Sequence, residues 1–126
     1  MLVGLLGIVG LRLMRAQAGP VTPCRDEAPL LESVWHVYRD QHVVFVGVAY
    51  ADTDNDLRAF LKEFSINYPN GPDLGTRISQ AYGITGVPEK YFIDKCGRVR
   101  HVVIGPVPEP ELRGSIVGLL AERNVC

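Results

Sequence analysis

Cys24 is the residue of this chain best placed to do chemistry. It sits in the run VTPCRDEAPLLE, after Pro23 and ahead of Arg25, Asp26 and Glu27. Thr22 suits a helix N-cap, and Pro23 suits the first helical position, where a missing N–H costs nothing. A cysteine at a helix N-terminus has the dipole and unpaired N–H groups that favour a thiolate. The alternative reading of Cys24 is a small buried hydrophobe, the commonest state of a lone cysteine. Glu27 lies one helical turn after Cys24, so the two share a face. It is a candidate for handling protons there, or simply a first-turn acid that complements the dipole. A redox pair would need a second cysteine three residues before Cys24, and that position holds Val21.

A second constellation lies in YGITGVPEKYFIDKCGRV. Pro88 precedes a strand-like run, where a cis X–Pro bond makes a tight start. Val87 would then present its backbone to an extended peptide. Glu89 either lines the same cleft or is a solvated residue at a strand start. Cys96 reads as a turn residue and Cys126 as a mobile terminal thiol. Three cysteines are too few, and odd in number, for a disulfide framework. The histidines show no metal-ligand spacing, so no metal and no cofactor is expected.

These residues need elements to hold them. The chain has 126 residues, enough for one domain with one core. A net charge of −1 excludes a general attraction to nucleic acid or anionic lipid. The start, MLVGLLGIVGLRLMR, is short for a membrane span and lacks a basic leader and small-residue cleavage site. It reads as a buried strand in preference to a membrane tether, with residues 1–20 atypical. A helix follows from Pro23 to about Asp40, with Pro29 inside it. HVVFVGVAY has no polar alternation and reads as a strand buried on both faces. A helix over 56–64, an extended INYPNGPD and a short helix closed by Gly83 come next. Two strands, 90–93 and 98–104, flank the turn DKCG, and an amphipathic helix ends the chain. The order β-α-β-α-α-β-β-α predicts an α/β domain over residues 1–126, with a mixed central sheet covered by helices on both faces.

With those motifs placed, the chain resembles the thioredoxin fold, and within it the TlpA/ResA/CcmG (DsbE) branch of extracytoplasmic thiol–disulfide oxidoreductases. That branch carries W-C-x-P-C-R-x-E-x-P-x-L, matched by Pro23, Cys24, Arg25, Glu27, Pro29 and Leu31. Pro20 stands for the tryptophan and Val21 for the first cysteine. It also carries Y-G-V-x-G-V-P-E-T-F-F-I-D-x-x-G-R-V, which residues 82–99 follow almost throughout. The resemblance implies a site built from Cys24, Glu27 and cis-Pro88, with Val87, Glu89 and Pro23 against the substrate. It implies a cysteine-containing protein substrate or redox partner, no nucleic acid, and a periplasmic or cell-envelope location.

In that branch the first cysteine attacks and the second, more buried one resolves. Valine cannot attack, so the two-cysteine cycle is absent from this motif. The chain is then a degenerate partner-binding member, a single-thiol protein resolved by an outside thiol, or an altered start of an active relative. A thiol peroxidase of the AhpC/TSA type, with Cys24 attacking peroxide, is an alternative. It would want threonine three residues before the cysteine, and Thr22 is only two before. A non-catalytic peptide-binding module is the other alternative.

Overall fold

The computed structural model describes residues 3–9, 23–123 and 126, and only the backbone of 3–9 and Pro23. Val21, Thr22 and most of the atypical N-terminal segment lie outside the described residues. The elements run β1 (Val3–Val9), α1 (Pro23–Tyr38), β2 (Val43–Tyr50), α2 (Asp54–Glu63), β3 (Asn70–Asp73), α3 (Arg77–Tyr82), β4 (Glu89–Ile93), β5 (Val99–Ile104) and α4 (Glu109–Ala121).

The five strands form one sheet in the order β3-β2-β1-β4-β5. β1 runs parallel to β2, which runs parallel to β3, while β4 and β5 run antiparallel to their neighbours. The apolar run at the start of the chain is therefore the central strand over residues 3–9, as its composition implies. The added strand is β3. Its sequence, NGPD, carries no β-branched or aromatic signal. It pairs because Gly47 of β2 lets Asn70 approach closely, where a Cβ would collide with the Asn70 side chain.

β2 departs from the expectation of burial on both faces. Its second half is buried, but Val44 and Val46 in its first half are exposed. Helices cover one face along its whole length. There Leu31 and Val34 of α1 and Leu112, Ile116 and Leu119 of α4 pack on Val43, Phe45, Phe92 and Val103. On the other face, among the described residues, Val48 and Tyr91 meet Ile84 and Val87 near α3.

Helix ends follow their local chemistry. α1 continues through Pro29 without a break. Thr53 caps α2 by accepting from the Asp56 N–H, and Gly83 ends α3 at φ 64°. Among the described residues no helix is long and apolar enough to cross a membrane.

One cysteine expectation is overturned. Cys96 and Cys126 form a disulfide, with Cα atoms 5.3 Å apart. The pairing is a tertiary event: the turn after β4 and the residue after α4 come together although 30 positions separate them. Spacing alone does not report that.

Candidate functional site

The site is built where the C-terminal end of β1, the N-terminus of α1 and the start of β4 meet. Ile8 of β1 pairs with Glu89, and Gly7 with Lys90. The chain then returns as α1, whose first turn carries Cys24. Cys24 is 3% exposed, which suits the buried resolving position of a dithiol motif.

The Val87–Pro88 peptide bond is cis, as expected. Pro88 is buried and Val87 half-buried. Glu89 is neither solvated nor open to a cleft: it is 1% exposed. Its Oε1 accepts from the Thr85 N–H and hydroxyl at 3.1 Å each, and its Oε2 accepts from the Tyr91 hydroxyl at 2.7 Å. The carboxylate thus ties the loop before Pro88 to β4. Burial first, and then the Glu89 carboxylate, push the Tyr91 hydroxyl up to about 12.

Glu27 is also buried, and its partner is Lys90, which is 1% exposed. The Lys90 Nζ lies 2.9 Å from Oε1 and 3.0 Å from Oε2 of Glu27. The Val107 N–H donates to Oε2 at 2.7 Å, and Lys90 donates a further bond to the Gly105 carbonyl. The Gly105 N–H donates to the Pro88 carbonyl at 2.8 Å. A continuous path of contacts therefore joins the cis-proline, through Gly105 and Lys90, to the acid one turn after Cys24. Burial lowers the Lys90 pKa, opposed by the Glu27 charge and hydrogen bond and then by the charge of Cys24. That last influence places the thiol within electrostatic reach of the ammonium.

Cys24, Glu27, Pro88, Val87 and Glu89 thus lie on elements that meet at one end of the sheet. Pro23 begins the same helix. Lys90 is the residue that sequence reasoning missed. The available signal was its departure from threonine in the second motif, which substitutes a cation two residues after the proline. Arg25 points elsewhere, pairing with Glu63 and lying over the Phe64 ring of the segment after α2. Among the described residues no cluster of His, Cys, Asp or Glu could hold a metal ion.

The profile of the AhpC/TSA family matches residues 15–102. The chain is 30% identical over 112 residues to the thiol:disulfide interchange protein HelX of Rhodobacter capsulatus, covering 88% of this chain and 61% of that one. It is 27% identical over 94 residues to the thiol-disulfide oxidoreductase ResA of Bacillus cereus, covering 75% and 54% respectively. The chain thus spans little more than half the length of these curated relatives. The fold matches a thioredoxin-family thiol:disulfide interchange protein of Chlorobium tepidum with a TM-score of 0.78 at 23% identity, over 95% of this chain and 81% of that one.

Proposed function

The chain belongs to the AhpC/TSA family, and from that premise we propose that it is a thiol–disulfide exchange protein acting on cysteines of other proteins, with its catalytic cycle cut short at Val21. The observation that carries this reading is the contact path from cis-Pro88 through Gly105 and Lys90 to the first turn of α1. It brings a buried thiol helix and a proline-led strand start to one end of the sheet. The likeness to interchange proteins and oxidoreductases supports exchange over peroxide reduction.

Exchange begins when a thiolate attacks one sulfur of a partner disulfide. A mixed disulfide forms and the other partner sulfur leaves as a thiolate. In a two-cysteine motif the second thiolate then attacks the mixed disulfide, releasing the reduced partner and closing an internal disulfide. This chain holds the second thiol, Cys24, and has valine at the attacking position. Any exchange at Cys24 stops at the mixed disulfide until an outside thiol releases it. The Val87 backbone forms the edge proposed to receive the partner peptide, with the buried Glu89 tying the loop behind it.

The Cys96–Cys126 disulfide supports an oxidising, extracytoplasmic compartment, where such bonds persist. Cytochrome c maturation is the process this reading favours, with an apoprotein disulfide as substrate.

Insulin disulfide reduction by the parent chain and by Val21→Cys tests the proposal. The parent should turn over slowly or not at all, and Val21→Cys should gain turnover with a thiol reductant. Val21→Cys combined with Cys24→Ser should instead trap a mixed disulfide. A folded Val21→Cys protein with no gain overturns the assignment.

A further inference from the structure

Glu27 and Lys90 are each held by more than one partner in the arrangement the structure shows. Both carboxylate oxygens lie within 3.0 Å of the Lys90 ammonium, and Oε2 also accepts from the Val107 N–H. Lys90 is equally committed, to Glu27 and to the Gly105 carbonyl. The pair is buried on both sides and joins α1, β4 and the segment after β5.

We propose that Lys90 is a positioning residue for the chemistry at Cys24: its ammonium engages both oxygens of Glu27 and is held as a fixed cation beside the acid that lies one helical turn after the thiol. This deepens the exchange reading above and rests on it. The acid of the first motif is then a scaffold for the cation, and the cation favours the thiolate. Among the described residues, the titratable groups acting on Lys90 are Glu27 and Cys24 of α1 and Glu111 of α4, and Glu27 in turn acts on Tyr68. Tyr68 is pushed above its ordinary range, by burial first and then by the charges of Glu32 and Glu27, so it stays a neutral phenol beside the pair.

The test is a pH titration of the Cys24 thiolate by its ultraviolet absorbance, with Cys96 and Cys126 kept oxidised and no disulfide substrate present. Lys90→Thr and Lys90→Gln should each move the midpoint upward, cutting the thiolate fraction at neutral pH about tenfold. Lys90→Arg, which keeps the cation, should titrate close to the parent. A role in packing alone predicts no such division between charged and neutral replacements. If Lys90→Gln, folded by circular dichroism, titrates like the parent, the inference is overturned. The same follows if Lys90→Arg shifts as far as Lys90→Gln. Because no substrate is involved, failure of the insulin assay leaves this result standing, and failure here leaves the exchange reading standing.

Discussion

Cys96, in the turn between β4 and β5, is covalently joined to Cys126 beyond the end of α4. The bond sits at the far end of β4 from Glu89 and Pro88, so it clamps the end of the sheet opposite the start of the thiol helix. It is a cross-link, and its position rules it out as an internal resolving partner for Cys24.

The disulfide closes a loop of 30 residues, for which the chain-entropy account gives a stabilisation of about 3–4 kcal/mol. Cys96→Ser combined with Cys126→Ser should therefore lower the urea midpoint clearly. The titration of the Cys24 thiolate should remain unchanged. A shift in that titration would mean that the two ends of β4 are coupled.

The Glu27–Lys90 pair should be far more sensitive to half-removal than to full replacement. Truncating one partner leaves a buried charge uncompensated, at a cost of about 3–5 kcal/mol. Glu27→Ala should show that loss in equilibrium denaturation. Glu27→Leu combined with Lys90→Met should recover most of it, because neither charge then has to be kept out of water.

Glu89 should act on the loop that carries Pro88. Glu89→Ala leaves the Thr85 and Tyr91 donors without their acceptor, which costs about 1–3 kcal/mol. It also removes the negative charge beside the Tyr91 hydroxyl. The titration of that phenol, now at about 12, should fall but stay above 10.0, because burial is the larger cause. A spectrophotometric tyrosine titration checks both the direction and the limit.

Asp94 supplies a pH dependence at the disulfide end. Burial works to raise its pKa, but the Arg98 and Cys96 N–H groups and the Arg98 and Arg100 guanidinium groups outweigh it, holding the carboxyl at about 2 against an ordinary 3.8. The folded state binds this proton less readily than the unfolded chain. Its contribution to stability is therefore complete above pH 3.8 and is lost as pH falls toward 2. Asp94→Asn should be less stable than the parent at neutral pH, and the difference should shrink on acidification over that interval.

Much of this architecture could be read along the chain. The apolar run 43–50 marks β2, the Leu57 and Phe60 spacing marks α2, and Gly83 marks the end of α3. Each is a local signal, carried by periodicity or by a residue that tolerates a special backbone angle. The extended segment over 66–73 is legible too, but not that its end pairs as β3, because those four residues gain strand geometry from β2, across a gap that Gly47 leaves open.

For the site, the sequence by itself determined the chemistry present: one thiol in a first-turn setting, valine three residues before it, and a proline heading a strand. Tertiary structure alone decided what surrounds that thiol. It placed Glu27 in a buried ion pair, made Glu89 a loop tie, and joined Cys96 to Cys126. The reason is physical: Glu27 and Lys90 are 63 positions apart, and so distant a contact is fixed by how helix and sheet pack. No periodicity or spacing in the chain encodes it.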